Sequence, residues 1–255
     1  MTAHQHPIVL ITGATSGFGL ATAKKFAEHG YPLILTGRRE ERLQALSTEL
    51  STLTDVHYSV LDVRDSEAVA EFANNLPERF KQVAILVNNA GLALGAESAD
   101  KAKLSDWHTM IDTNVTGLVN VTHSLLPVLK AQKSSTIINL ASIAGNWPYP
   151  GSHVYGASKA FVAQFSRNLR SDFAGTGVRV TSLEPGLSES EFSLVRFNGD
   201  QDKYDSIYEG TNAIQPEDIA NIIFWIAEQP AHININSLEV MPTSQAWNSF
   251  KIVKQ

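Results

Sequence analysis

The chain predicts an α/β fold in which seven parallel strands form one sheet, with helices covering both faces. Two observations lead there. Short apolar runs recur along the 255 residues with helical patterns between them, and such alternation describes strands buried on both sides by crossover helices. No linker-like stretch divides the sequence, so the sheet is expected to be doubly wound, in the Rossmann manner, as a single domain over 1–255.

The strands are read at Ile8 to Ile11, Pro32 to Leu35, Val56 to Leu61, Val83 to Val87, Thr136 to Leu140, Val178 to Leu183 and Ser237 to Met241. The first stops at Gly13 and is too short for a membrane span or a signal-peptide core. The first helix starts near Ser16 and ends at Gly30, a residue type suited to the left-handed position after a helix. The second covers Glu40 to Leu50, and the third runs from Ser66 to Leu76, ahead of Pro77. The fourth, Leu104 to Leu129, contains Pro127, and proline's missing donor predicts a break or kink near that end. The fifth carries Tyr155 and Lys159 and ends near Gly175. Pro216, Glu217 and Asp218 open the last, in which Ile219, Ile222, Ile223 and Ile226 keep helical spacing before Pro230 stops it.

The stretch from Glu184 to Asn236 is longer than a crossover helix needs and begins at the end of a strand. Ligands bind outside the C-terminal ends of parallel strands, so residues at about 187–215 are expected to cover the substrate.

Hydrophobic residues make up 43% and charged residues 18%, with a net charge of −6 and basic residues scattered along the chain. This is a globular composition without a basic face for nucleic acid or membrane. There is no cysteine, which excludes disulfides and thiolate chemistry, and the eight histidines show no metal-ligand spacing. No metal is expected, and the protein is expected to be soluble and cytoplasmic.

Tyr155 and Lys159 stand four apart, which places phenol and ammonium on one helical face. A phenol titrates near ~10 and works poorly at neutral pH until a cation lowers its pKa. With Ser142 holding a substrate oxygen, the trio forms a proton-transfer device. The spacing alone also fits a surface tyrosine beside a solvated lysine.

The first strand runs into Gly13-Ala14-Thr15-Ser16-Gly17-Phe18-Gly19. Glycines there let backbone approach a pyrophosphate, whose charge is drawn to the amides of a helix start; the alternative is a tight strand-to-helix turn and no more. The second strand ends in Arg38 and Arg39, where an NAD site normally carries an acidic residue against the ribose. Two guanidinium groups at that position favour the 2′-phosphate of NADP; the alternative is pairing with Glu40 and Glu41. After the third strand, Asp62 and Val63 are placed to meet the adenine, though Asp62 could equally cap the third helix. Asn89, Ala90 and Gly91 follow the fourth strand as small residues a nucleotide can lie against, though by themselves they read only as a turn.

Taken together, Thr12 to Gly19, Asn88 to Gly91, Asn114, Ser142, Tyr155 with Lys159, and Pro185-Gly186 make the chain resemble the short-chain dehydrogenase/reductase family over nearly its whole length. The resemblance implies that Tyr155 is the general acid/base and that Ser142 orients the substrate. It implies that Lys159 lowers the Tyr155 pKa and holds the nicotinamide ribose, and that Asn114 anchors a water leading to Lys159; without the resemblance, Asn114 reads as a buried amide or a helix irregularity. Pro185, Gly186, Ser188 and Ser190 would line the coenzyme. The family pattern Pro-Gly-x-Val-x-Thr is altered here: Ser188 replaces an apolar residue, and Ser190 keeps a hydroxyl at the threonine position. The resemblance also implies a homotetramer, or a homodimer, formed through the fourth and fifth helices.

Glu191 to Phe197, Pro230 to Asn236 and Met241-Pro242-Thr243 narrow the resemblance to NADP-dependent dehydrogenases of short 3-hydroxy acids such as serine, allo-threonine, 3-hydroxypropionate and 3-hydroxyisobutyrate. The carboxylate of such a substrate needs a cation. Arg196 is the candidate, the alternative being a salt bridge to Glu191 or Asp200. Trp147 and Tyr149 either wall the pocket or pack beneath the covering segment. Two other readings stay open: a reductase of 3-oxoacyl or sugar substrates, and an NADP-sensing protein without catalysis.

Overall fold

The computed structural model describes residues 6–197 and 199–247. Its sheet is parallel throughout, in the order β3 (Val56–Val60), β2 (Leu33–Gly37), β1 (Ile8–Thr12), β4 (Val83–Asn88), β5 (Ser135–Leu140), β6 (Val178–Pro185) and β7 (Ser237–Val240). All seven predicted strands are present. Alternate residues along each strand serve opposite faces. Val9 and Ile11 join Phe26, Leu43, Leu50, Ile219 and Ile223, which come from α1 (Gly17–Glu28), α2 (Glu40–Leu50) and α9 (Pro216–Ala227). Ile8 and Leu10 join Val69, Val121, Leu125 and Leu169, from α3 (Ser66–Asn74), α5 (Gly117–Ala131) and α6 (His153–Asp172).

Gly30 closes α1 as expected: at φ +74 it donates to Ala27 O while Tyr31 N reaches Phe26 O, the two bonds of a left-handed helix stop. Of the two readings of Asp62, the helix cap is not formed. Asp65, not Asp62, accepts Glu67 N and Ala68 N, whereas Asp62 turns to Arg64.

The break expected near Pro127 is absent. His123, whose carbonyl loses its partner there, and Pro127 itself both lie on the exposed side of the helix, where an unpaired carbonyl costs little, and α5 continues. The irregularity lies earlier. Between α4 (Leu104–Ile111) and α5 the chain makes a π-helical turn, Asp112–Thr116, which turns Asn114 inward. Leu118, Val121 and Leu125 of α5 are spent in the intramolecular core.

β1 and β4 are neighbours although β2 and β3 intervene in sequence, so a crevice opens at their C-terminal ends. The connection from β6 to β7 carries α7 (Glu191–Arg196), α8 (Gln201–Tyr208) and α9. Its base is pinned where Glu189 N donates to Ile214 O and Ile214 N to Leu187 O, at 2.9 and 3.1 Å. Ser188 takes part in this bridge with Ile214, and its hydroxyl donates to Gly186 O at 3.1 Å, so a polar side chain is satisfied where the sequence pattern expects an apolar one. No helix among the described residues is long and apolar enough to cross a membrane.

Candidate active site

At the crevice the turn after β1 is held by the residues after β4. Asn89 Nδ2 donates to Thr12 O at 2.8 Å, and Thr12 Oγ1 accepts the amides of Asn89 and Ala90 at 3.0 Å. Gly13 needs its glycine for two reasons: φ is +67, and a Cβ would lie 3.0 Å from Ala90 Cα. A Cβ on Gly19 would meet Gly13 O at 2.4 Å, so that glycine serves turn-to-helix packing. A cavity of about 680 Å³ runs from Arg38 past Gly13 and Gly17 to Lys159 and Tyr155. Of the site residues predicted from sequence, only Gly19 and Asn114 do not line it. Its length, free helix-start amides and basic end fit a phosphorylated dinucleotide.

The two arginines differ. Arg39 is engaged: Nε and Nη2 donate to Thr15 Oγ1 at 3.0 and 2.8 Å, Nη2 also to Ser16 Oγ, and Nη1 to Glu191. Arg38 makes no hydrogen bond or ion pair among the described residues and lines the same end of the cavity. Neither pairs with Glu40 or Glu41. Asp62 is kept below the usual carboxylate range, chiefly by the Arg64 hydrogen bond, and so presents an ionised acceptor.

At the other end α6 begins next to Ser142. Tyr155, Lys159 and Ser142 are 9%, 5% and 9% exposed, so the surface-pair alternative is excluded. The Ser142 hydroxyl accepts Ala144 N at 3.1 Å, donates to Pro185 O at 3.4 Å, and is close enough to the Tyr155 phenol to act on its acidity. Burial pushes the phenol well above its ordinary range, against the Ser142 hydrogen bond and the Arg196 charge that lower it. Lys159 Nζ donates to Leu140 O at 2.7 Å and lies 5.9 Å from the phenol ring centre; burial lowers it to about 8.

Asn114 stands behind this pair. Its Nδ2 donates to Leu92 O and Ser158 Oγ, and its Oδ1 accepts Leu92 N. A Cβ on Gly91 would sit 3.1 Å from Asn114 Oδ1 and 3.3 Å from Lys159 Nζ. Oxygen and ammonium therefore face one small gap.

α7 closes over the phenol. Phe192 packs on Tyr155 with ring centres 5.6 Å apart, and the Arg196 guanidinium lies 6.0 Å from the same ring. Arg196 Nε donates to Gly95 O at 3.1 Å and Nη1 to the Tyr149 hydroxyl at 3.0 Å. The predicted alternatives for Arg196 are not formed: Glu191 pairs with Arg39 and Arg42, and Asp200 with Lys203. Ser190 caps α7, accepting Phe192 N at 3.3 Å, and lies against Gly17.

Trp147 does not pack beneath the covering helices. It lies at the rim against Trp247, with ring centres 5.8 Å apart, and Glu239 accepts both indole N–H groups. The sequence reading missed this C-terminal wall of Met241, Gln245 and Trp247. Gln245 Oε1 accepts Leu187 N at 2.8 Å and locks the wall to the turn after β6. No local pattern announces such contacts.

The short chain dehydrogenase family profile matches residues 7–198. Sulfoacetaldehyde reductase 2 of Chromohalobacter salexigens is 60% identical over 96% of this chain and 98% of its own length. Serine 3-dehydrogenase of Rhizobium radiobacter is 53% identical over 97% and 98%. Among solved structures, the closed form of serine dehydrogenase complexed with NADP+ matches with TM-score 0.94 and 50% identity, covering 97% of this chain and all of that one.

Proposed function

The chain belongs to the short-chain dehydrogenase family, and from that premise we propose that it is an NADP-dependent oxidoreductase interconverting short 3-hydroxy acids, or their sulfonate counterparts, and the matching aldehydes or ketones. The observation that carries the substrate class is Arg196: a guanidinium with no carboxylate partner among the described residues, held by Gly95 and Tyr149 beside the Tyr155 ring. Relatives named for serine and for sulfoacetaldehyde support one shared requirement. Both compounds place one carbon between the reacting carbon and the acid group. A guanidinium fork meets carboxylate and sulfonate oxygens alike.

NADP bound along the cavity would supply or accept the hydride. Arg38 and Arg39 would hold its 2′-phosphate, the Gly13 to Gly19 turn its pyrophosphate, Asp62 and Val63 its adenine, and Lys159 its nicotinamide ribose. In the reducing direction Tyr155 donates its phenolic proton to the carbonyl oxygen, which Ser142 holds by a hydrogen bond. In oxidation the phenolate takes the proton back. Arg196 and the Tyr149 hydroxyl fix the acid group, and Phe192 keeps water from the phenol. Asn114 and Lys159 line a gap suited to a proton-relaying water.

Residues 187–215 act as the substrate cover, and Trp147 forms part of the outer wall. Assembly as a homotetramer, with a homodimer as the smaller alternative, is supported by exposed apolar side chains on α4 and α6: Leu104, Ile111 and Phe161. Reliance on a freely diffusing nicotinamide coenzyme supports a cytoplasmic site.

The test is an NADP-linked absorbance assay over serine, allo-threonine, 3-hydroxypropionate and 3-hydroxyisobutyrate, with sulfoacetaldehyde in the reverse direction. The reading expects turnover with the anionic compounds and little with uncharged alcohols or 3-oxoacyl thioesters. Preference for an uncharged substrate would overturn it.

A further inference from the structure

One short helix touches both ends of the site. From α7, Phe192 and Arg196 reach Tyr155, and their spacing of four places them on one face. One residue earlier, Glu191 accepts Arg39 Nη1 at 3.1 Å and Arg42 Nη1 at 2.9 Å. Burial raises the Glu191 pKa, but hydrogen bonds from the two arginines outweigh it and hold the group below the usual carboxylate range. Arg39 in turn holds Thr15 and Ser16 of the glycine turn. A continuous chain of polar contacts thus joins the substrate-covering helix to the arginines read as the coenzyme phosphate subsite.

The charges there are unequal. Arg38, Arg39 and Arg42 bring three positive charges and Glu191 one negative. The formal excess of two matches a 2′-phosphate, which carries about −1.5 to −2 at neutral pH. A coenzyme lacking that phosphate leaves the excess unmatched, and Arg38 then has near it only the Asp62 carboxylate, which is already hydrogen-bonded to Arg64.

We propose that Glu191 is a positioning residue through which the coenzyme 2′-phosphate sets the covering helix, so that the phosphate tightens the hold on the acid substrate at the far end of α7. With phosphate on Arg38 and Arg39, the guanidinium of Arg39 is fixed, Glu191 docks on it and on Arg42, and α7 delivers Phe192 and Arg196 to Tyr155. Without it, Arg39 keeps Thr15, Ser16 and Glu191, but Glu191 alone offsets the mutual repulsion of Arg38, Arg39 and Arg42, and α7 is held less firmly. This rests on the reading of Arg38 and Arg39 as the phosphate subsite, and Arg38→Ala checks that reading separately.

The experiment uses the whole chain and compares wild type, Glu191→Gln and Arg38→Ala. Adenosine 2′,5′-bisphosphate and adenosine 5′-phosphate serve as probes with and without the 2′-phosphate. Limited proteolysis within 187–215 reports on the cover without turnover, and steady-state assays separate KM from kcat. In wild type the bisphosphate is expected to slow cleavage about fivefold more than the monophosphate, the size of effect a two-arginine surface ion pair can transmit. In Glu191→Gln that difference disappears, and KM for the acid rises by more than kcat falls. Glu191→Gln cleaved and protected as wild type, with an unchanged KM, would overturn the proposal while leaving the phosphate subsite standing. An Arg38→Ala protein that binds both probes as wild type does would remove the subsite reading and the proposal together.

Discussion

Asn114 and Leu92 bond reciprocally: the amide oxygen accepts Leu92 N and the amide nitrogen donates to Leu92 O, both at 2.8 Å. The side chain thus copies a peptide group and pairs with an irregular loop that no strand satisfies. It can do so because the π-helical turn Asp112–Thr116 rotates Asn114 off the helical phase and into the protein. Ser158 takes the second amide hydrogen. All the nitrogen's donors are then used, and one lone pair of Oδ1 remains, facing the gap above Gly91.

That gap is the target of a first prediction. A methyl at Gly91 would stand 3.1 Å from Asn114 Oδ1 and 3.3 Å from Lys159 Nζ, filling the space a relaying water needs. Gly91→Ala is expected to lower kcat by roughly 10- to 100-fold, the lower range for losing an organised proton path. Full kcat in this variant would show that no relay passes there.

Tyr155 provides a second. Burial holds the phenol protonated through neutral pH, which suits reduction, where the group is an acid. Oxidation needs the phenolate, so its rate in an NADP+-linked assay should climb as pH is raised, while reduction does not gain. Tyr155→Phe should lose about 10²- to 10⁴-fold in kcat in both directions, with coenzyme still bound in a fluorescence titration. Substantial residual turnover would assign the proton to another group.

Lys159 provides a third, in stability. Its ordinary value is 10.5, and burial lowers it to about 8. Keeping the ammonium charged in the fold therefore costs on the order of 3 kcal/mol below pH 8, part of it offset by bonds such as that to Leu140. Because the folded value is the lower one, the unfolded chain binds more protons between about 8 and 10.5, and wild-type stability should rise with pH across that window. Lys159→Met lacks this dependence. It should be the more stable protein at pH 7, by about 1 kcal/mol or more after losing the Leu140 bond, while turning over little substrate. Denaturant melts of both at several pH values decide this, and parallel pH curves would contradict it.

Local chemistry explains what the sequence made readable. Tyr155 and Lys159 share a helix, so a spacing of four determines their face; Gly13 to Gly19 follow a buried strand; Gly30 stops a helix by its own backbone. The missed features depend on contacts between distant residues. Nothing near Glu191 indicates that its partners are Arg39 and Arg42, and nothing near Gln245 points to Leu187. Pro127 was a sound local warning, but its consequence depended on His123 facing water. The π-helical turn left no such signal, since Asn114 earns its place only from Leu92 and Ser158.

Arg38 and Arg39 should separate on substitution. Arg38 makes no hydrogen bond or ion pair among the described residues, so Arg38→Ala removes charge offered to a phosphate and, besides that, only its electrostatic pull on Asp62. NADP+ binding is expected to weaken about 10- to 100-fold, the range of a charge-assisted hydrogen bond, with NAD+ little affected. Arg39 also braces Thr15 and Ser16, so Arg39→Ala should weaken both coenzymes. Equal loss of both in Arg38→Ala would mean it supports the fold of the turn instead.

Arg196 distinguishes substrate recognition from mere support of the cover. Its Nε is committed to Gly95 O and one terminal nitrogen to Tyr149, and the other terminal nitrogen has no partner among the described residues. Arg196→Lys keeps the charge but cannot hold Gly95, Tyr149 and an acid group in one planar fork. Arg196→Ala removes all three. If the guanidinium binds the substrate anion, kcat/KM for 3-hydroxypropionate should fall about 100-fold or more in Arg196→Ala and less in Arg196→Lys, as expected for a charge-assisted, two-bond contact. Slow turnover of an uncharged short alcohol should change little in either. If instead Arg196 only pins α7 to the loop at Gly95, charged and uncharged substrates must suffer alike, because both depend on the same placement of Phe192 against Tyr155. The ratio of the two losses, measured in one coenzyme-linked assay, therefore identifies the role whatever the absolute rates.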